Sequence, residues 1–483
     1  MRISVVGCGY LGSTHAACMA ELGHDVLGVD TDALKVSALR SGSAHFYEDG
    51  LNDLLAKHTA SGKLRFSQSF AEAADFADVH FLTVGTPKSP GSNAHDLSFV
   101  LQATQQLARH LRRPSLIVGK STVPAGTASR LARFVRKISP MGESVQLAWN
   151  PEFVRESCAV EDTLRPNRIV VGIDGGTEAA KRAEQTIRCV YARVIETGTP
   201  LIVTDLATAE LTKIAANAFL ATKISFINAI AELSEAAGAD IQQLTAALAL
   251  DPRIGAGALH SGVGFGGGCL PKDLRGLIWC AEQIGAERAA SLLRQVDAVN
   301  TSRRNRAIKL VFEECGSDIS GQRIAVWGAA FKPNTDDIRE SPALAVADEL
   351  HRRGAHVTVY DPVAADNARA AYPHLRYAGS AKTAITGARV LLHLTEWAEF
   401  SKFNPIRLTD TGFGSPRCVI DGRGTLDADR WRAAGWTYRA LGTTDVHLSA
   451  HSPAARGCVA CALKSPPMST LTPMSSTTTG IGL

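Results

Sequence analysis

The stretch Gly7-Cys8-Gly9-Tyr10-Leu11-Gly12, directly after the apolar run ISVV, constrains the fold more than any other feature of the chain. A G-x-G-x-x-G frame between a β-type run and a helical one marks the first turn of a nucleotide-binding βαβ unit. Gly7 permits the tight turn, Gly9 lets a pyrophosphate reach the backbone, and Gly12 lets the helix pack on the strand. Asp30 closes the next apolar run, DVLGVD, 18 residues beyond Gly12. A carboxylate there accepts hydrogen bonds from ribose hydroxyls and repels a 2′-phosphate, so the pattern predicts NAD rather than NADP. The alternative, a tight turn with no ligand, is outweighed by the full strand–loop–helix–strand context.

Val/Ile-rich runs without polar alternation recur to about residue 200: ISVVG, DVLGVD, VHFLTVG, SLIVGKS and VQLAWN. Such runs suit strands buried on both faces of a parallel, doubly wound sheet. From Thr204 to about Ala239 the chain has no proline and no glycine before Gly238, which predicts one long helix capped by Thr204 or Asp205. Helical sequence continues to about Arg306, broken by the loop SGVGFGGGCLPKD. The strand–helix rhythm then returns. GQRIAVWGAAF echoes MRISVVGCGYLG, and HRRGAHVTVYDP echoes AELGHDVLGVDT, without the full glycine fingerprint. The predicted class is α/β, with two doubly wound Rossmann-like domains joined by a central long-helix segment. The expected boundaries are 1–203, 204–306 and 318–445, with a Ser/Thr/Pro-rich tail, 446–483, expected to be disordered. Cys458 and Cys461 in that tail read as an incidental pair. Two α/β domains joined this way leave a deep cleft for ligands.

A length of 483 residues suits two or three domains. The net charge of +4 is spread without a basic block, which argues against nucleic acid and leaves anionic small molecules as ligands. Ten irregularly spaced cysteines read as reduced thiols in the cytoplasm. No metal is expected, and no membrane partner, since no apolar run approaches the roughly 20 residues that cross a bilayer.

Cys269 sits in Gly264-Phe265-Gly266-Gly267-Gly268-Cys269-Leu270-Pro271-Lys272-Asp273. A helix start near Pro271 and the adjacent Lys272 both favour a thiolate. On spacing alone two readings stay open, a reactive thiol and a small core side chain. Lys213 and Asn217, one turn apart on the predicted long helix, share a face.

These residues belong to a larger set of segments: GCGYLG, VGTP (84–87), KSTVPAGT (120–127), NPEFVRES (150–157), AELTKIAANAFLATKISFIN (209–228), DPRIG (251–255), GFGGGCLPKD (264–273), AFKPNTDDIRESPAL (330–344) and DGR (421–423). In this order they resemble the UDP-glucose/GDP-mannose dehydrogenase family, and UDP-glucose 6-dehydrogenases in particular, over residues 1 to about 445. The resemblance implies NAD-dependent, four-electron oxidation of a hexose C6 alcohol through a cysteine-bound thiohemiacetal and thioester. It implies Cys269 as nucleophile, Lys213 as the residue assisting deprotonation and steadying an oxyanion, and Asn217 as its partner. Asp273 would position or deprotonate water, with Glu152 and Thr122 as further water-handling residues. Cofactor contacts by the same match are Lys35, Thr86, Thr122, Glu156, Lys272 and Arg339, beside Gly7, Gly9, Tyr10, Leu11, Gly12 and Asp30. Substrate contacts are Glu152, Phe153, Arg155, Lys213, Asn217, Arg253, Ala258, Gly266, Lys332 and Arg423. Arg253 would reach across a homodimer formed along the long helix. Three positions depart from the family pattern: Ala258 stands where an aromatic residue is usual on the nucleotide side, Gly268 precedes the cysteine, and Asp49 replaces a frequent proline. The alternatives are a GDP-mannose or other UDP-hexose 6-dehydrogenase, a two-electron hydroxyacid dehydrogenase, and a non-catalytic nucleotide sensor. Retention of Cys269, Lys213, Asn217 and Asp273 together speaks against the last.

Overall fold

A computed structural model describes residues 1–408 and 417–443. The expected tail, 446–483, with Cys458 and Cys461, lies outside the described residues.

The N-terminal sheet is built from β1 (Arg2–Val6), β2 (Asp25–Val29), β3 (Leu64–Ser67), β4 (Val79–Leu82), β5 (Ser115–Gly119), β6 (Val145–Trp149), β7 (Ile169–Ile173) and β8 (Leu201–Thr204). They lie in the order β3-β2-β1-β4-β5-β6-β7-β8. The second sheet holds β9 (Arg323–Trp327), β10 (His356–Tyr360), β11 (Arg376–Tyr377), β12 (Val390–His393), β13 (Cys418–Asp421) and β14 (Thr437–Ala440), ordered β11-β10-β9-β12-β13-β14. The strand order of the second sheet thus repeats that of the first six strands, which is the internal echo in the sequence made structural. Every residue of β4 and β5 is buried, as unalternated apolar runs require. Pairing is parallel throughout except between β6 and β7, which run antiparallel. The five runs read from the sequence as parallel strands, β1, β2, β4, β5 and β6, do pair in parallel.

The glycine fingerprint folds for the reasons its spacing suggests. Gly7 has φ +95°, and its N–H donates to the Val29 carbonyl at 2.7 Å. A Cβ on Gly12 would lie 1.8 Å from the Gly7 carbonyl oxygen, so only glycine lets the helix Tyr10–Glu21 start there.

The long helix spans Leu206–Ala237. Asp205 caps it, accepting from the Thr208 N–H at 2.9 Å, and Gly238 ends it at φ +75°. Two more helices, Leu270–Gln283 and Glu287–Cys315, pack against it. The second runs past Arg306, where the sequence reading closed the central segment. A further correction concerns the bilayer: by length and composition the long helix could cross one. Here it is the central helix of the fold, and it buries Glu210, Lys213 and Asn228 among its neighbours.

Candidate active site

The cofactor end lies at the mouth of the first βαβ unit. Nothing lies within 4 Å of an added Cβ on Gly9 or Gly85, so the backbone there is open to a ligand. The Asp30 carboxylate accepts from the Cys8 N–H at 2.8 Å and the Asp32 N–H at 3.0 Å, one bond to each oxygen. Lone pairs remain on both oxygens for ribose hydroxyls. These residues fit NAD. Thr86 donates to the Thr122 carbonyl at 2.8 Å, and Lys35 lies 3.8 Å from Asp32, both on this side of the molecule. The Tyr10 hydroxyl donates to Glu48 and accepts from the Ser157 N–H, fastening the first helix to the NPEFVRES loop.

A cleft of about 760 Å³ opens between the domains, and Leu11, Glu152, Phe153, Glu156, Lys213, Asn217 and Cys269 line it. The Lys213 ammonium meets Glu152 Oε1 at 2.8 Å, with both side chains nearly buried. Burial alone would discharge Lys213, but Glu152, Cys269 and Asp273 outweigh it and raise its pKa. Asn217 Nδ2 donates to Asp273 Oδ2 at 2.7 Å, and Lys272 donates to Oδ1 at 2.6 Å. Burial works against the Asp273 charge, yet His95, Lys272 and Lys213 hold its pKa well below the carboxylate range.

Cys269 directly precedes the helix Leu270–Gln283, makes no capping bond through its sulfur, and is open to the cleft. Its surroundings correct the expectation of a thiolate. Recess within the cleft, with Glu152 beside it, pushes the thiol up to about 12, and Lys213 only partly opposes this. Lys272, expected to assist, spends its charge on Asp273.

A second cavity of about 760 Å³ adjoins the first and shares Ala258, Gly266 and Lys332 with it. Arg423 lines it, its guanidinium held by the Leu394 and Phe331 carbonyls at 2.7 and 3.1 Å. Ala258 adopts φ +58°, unusual for a residue with a Cβ, and offers this cavity only a methyl group. Lys332 donates to the Glu156 carbonyl. Arg339 pairs with Asp337 at 2.6 Å and Glu156 at 3.2 Å. A Cβ on Gly268 would lie 2.3 Å from the Arg339 Cζ, so the guanidinium rests directly on the cysteine loop. Burial and Asp337 push Glu156 up to about 8.

Several expected contacts stand apart. Arg155 reaches the first cleft, but its guanidinium is already bidentate on Asp162, at 2.9 and 2.7 Å. Arg253 is 88% exposed, pairs with Asp251, and lines neither cavity in this chain. Thr122 lines neither cavity.

Sequence reasoning missed Lys120, Asn150 and His95. Lys120 and Asn150 follow β5 and β6 directly, where open α/β sheets place ligands, and that position was the available signal. Lys120 is buried and donates to Asn150 Oδ1 at 3.1 Å; burial lowers its pKa to about 8, with Lys213 adding to the effect. His95, in a Ser/Gly/Pro-rich loop, carried no signal at all.

Comparison with known proteins agrees with this geometry. Residues 1–195 match the NAD binding domain of the UDP-glucose/GDP-mannose dehydrogenase family, 207–302 its central domain and 325–428 its UDP binding domain. A UDP-glucose 6-dehydrogenase of Rhizobium meliloti is 40% identical over 445 residues, 92% of this chain and 100% of the relative. A UDP-glucose dehydrogenase structure from the archaeon Pyrobaculum islandicum superposes with a TM-score of 0.83 at 36% identity, covering 92% of this chain and 98% of that one. A GDP-mannose dehydrogenase from Pseudomonas aeruginosa, 26% identical, reaches a TM-score of 0.50 over 91% of this chain and 100% of its own. With its glycine fingerprint, its recessed cysteine and its UDP-binding second half, the chain is an NAD-dependent oxidoreductase that belongs to the UDP-glucose/GDP-mannose dehydrogenase family.

Proposed function

We propose that the chain oxidises UDP-glucose at C6 to UDP-glucuronate, with Cys269 as the covalent nucleophile. The observation that carries this reading is the convergence of Cys269, the Glu152–Lys213 pair and the Asn217–Asp273 pair on one cleft. The Gly7–Gly12 turn and Asp30 would hold NAD, which when bound would supply the hydride acceptor for each oxidation, one NAD for alcohol to aldehyde and a second for thiohemiacetal to thioester. In each oxidation the hydroxyl proton leaves to water beside the Glu152 carboxylate as the hydride departs, and Lys213, which stays charged, steadies the oxygen as charge builds on it and again at the tetrahedral stages. The Cys269 sulfur bonds to the aldehyde carbon while its proton passes to the carbonyl oxygen, so a protonated thiol yields a neutral thiohemiacetal with no net proton change. In the last step water attacks the thioester carbon, the C–S bond breaks, and the sulfur regains a proton. Glu152, on the Lys213 ammonium, is placed to take the proton from that water. Asp273 already accepts bonds on both oxygens and is held ionised, so it positions rather than abstracts.

Arg423 and Lys332 supply cations for the nucleotide diphosphate. Arg253, outside the cleft, suits a contact made across a homodimer. Leu211, Phe219, Phe226 and Leu233 form an exposed apolar stripe along the long helix that suits such an interface, and eight free thiols among the described residues suit the cytoplasm. A panel of UDP-glucose, UDP-galactose, UDP-GlcNAc and GDP-mannose, read by NADH absorbance and product identity, tests the reading. UDP-glucose should be preferred, with two NADH formed per sugar. One NADH per sugar, or preference for GDP-mannose, would overturn it.

A further inference from the structure

We propose that His95 is a positioning residue for Asp273, tying the cofactor-side loop after β4 to the helix that carries the nucleophile. The inference rests on the reading of Asp273 given above.

His95 lies on a closed loop. Lys88 and His95 form an antiparallel bridge, Ser89 N–H donates to the Ala94 carbonyl at 2.8 Å, and Asp96 N–H donates to the Pro87 carbonyl at 2.8 Å. Asp96 also accepts from the Ser98 N–H, joining the loop to the helix Ser98–His110. The same loop carries Thr86. From this frame the imidazole enters the central segment, with its side chain 1% exposed, and Nε2 stands 3.4 Å from Asp273 Oδ1. An ionised carboxylate only accepts, so Nε2 is the donor in this contact. Nδ1 is buried with no hydrogen-bond partner. A buried histidine with one nitrogen unpaired costs stability unless the other earns its place, and here the other touches the carboxylate at the foot of the cysteine helix.

The second observation is Gly276. A Cβ there would lie 2.1 Å from His95 Cε1 and 2.6 Å from Nδ1. Gly276 is in the interior of the helix Leu270–Gln283, where glycine costs roughly 1 kcal/mol against alanine. The helix gives up that propensity at the one position where a methyl would evict the ring. His95 and Gly276 therefore form a matched pair, and the ring is built into the nucleophile helix rather than resting against it. Asp273 is thereby held from three directions: Asn217 on the long helix, Lys272 on its own helix, and His95 on the cofactor-side loop. Lys213, Glu152 and Cys269 are the other charged or titratable groups around it.

The test is a set of variants on the full chain with NAD and UDP-glucose. His95→Ala should lower kcat by about 10- to 100-fold, the scale of a small misplacement of a catalytic group, while KM for both substrates moves only a few-fold. Because hydrolysis needs Asp273 in place, quenched His95→Ala should show a larger acylated fraction by intact-protein mass than the unsubstituted protein. His95→Gln, which keeps a donor, should recover part of the loss. Gly276→Ala should copy His95→Ala by displacing the ring. The double variant should be no worse than either single one, since the methyl occupies vacated space. Lowered melting temperature with unchanged kcat and acylated fraction across these variants would overturn the inference and leave His95 as packing. Should His95→Ala not fold, His95→Gln and Gly276→Ala decide by the same readouts. Asp273→Asn separates the two layers: if it is impaired and the His95 and Gly276 variants are not, His95 fails alone. If Asp273→Asn hydrolyses normally, the reading of Asp273 fails, and the inference with it.

Discussion

The two Rossmann-like domains place an acid at the same point and put it to opposite uses. Asp30 follows β2 and Asp361 follows β10; Gly7 and Gly328 close the matching turns, with φ +95° and +111°. Asp30 accepts two backbone bonds and is partly open. Asp361 is 2% exposed and accepts from the N–H groups of Ala329, Ala330, Val363 and Ala364 and from the Trp397 indole at 3.0 Å. One carboxylate keeps lone pairs for a ribose. The other is used up in holding its own domain together. A shared fold position therefore does not imply a shared ligand; the count of internal donors around the acid decides which copy reads a dinucleotide.

The sharpest way to break this contrast is at the seam between the domains. Cys269→Ala should still bind NAD and the nucleotide sugar, since neither domain's own contacts are touched. Uronate production should fall by about 10⁴-fold or more, the scale of losing a covalent nucleophile. Near-normal production in a steady-state assay would mean that the cleft chemistry is misassigned. Asp361→Asn should come next. Its amide would face N–H donors it cannot accept from, costing about 2–4 kcal/mol in a denaturant melt, with NAD affinity unchanged. A stable Asp361→Asn with weakened NAD binding would reverse the two acids' roles. Asp30→Ala should do the opposite: little loss of stability, NAD binding weakened by about 1.5–3 kcal/mol, and a narrower gap between NAD and NADP. Equal use of the two cofactors by the unsubstituted protein would refute the premise.

The smallest effect is on acid stability. Burial lowers the pKa of His15 and His80 in the first domain, His80 to about 3. An unfolded histidine titrates near 6.5, so the unfolded state binds more protons between pH 6.5 and 3, and stability falls as pH falls through that window. In the second domain burial opposes the charge of Asp421, but His393, at 2.9 Å, prevails and depresses its pKa. Its contribution is present above the unfolded value near 3.9 and is lost only as pH drops below it. Acidification from pH 7 to 4.5 should thus loosen the first domain before the second. Domain-resolved hydrogen exchange, corrected for intrinsic pH dependence, would show it; simultaneous loosening would count against the assignment.

The parts legible in the sequence were those that depend on local chemistry. The Gly7–Gly12 turn, the acid at Asp30, the Asp205 cap and the echo between the halves all follow from short-range spacing. Strands β3, β7 and β8 were not anticipated, because LRFS, IVVGI and LIVT are short runs among helical sequence. The site's membership was largely visible through the family resemblance, but its electrostatics were not. Lys272 is adjacent to Cys269 in sequence and suggests an activated thiol; only the fold shows that Asp273 captures that charge while Glu152 arrives from a distant loop. His95 and Gly276, 181 positions apart, become a pair only once the loop and helix are docked.

The raised pKa of Cys269 has a consequence for how the protein endures. Alkylating reagents and peroxide attack the thiolate, and recess within the cleft, with Glu152 beside it, disfavours that form of Cys269. The sulfur faces an open cleft, where an ordinary reactive cysteine would be steadily consumed by stray oxidants. Here recess within the cleft, reinforced by the carboxylates around it, holds the thiolate back, so the group should react more slowly with small electrophiles than its accessibility suggests. An irreversible inhibitor aimed at this cleft would therefore have to resemble the bound aldehyde closely enough to draw the proton off, and warhead reactivity alone would be wasted.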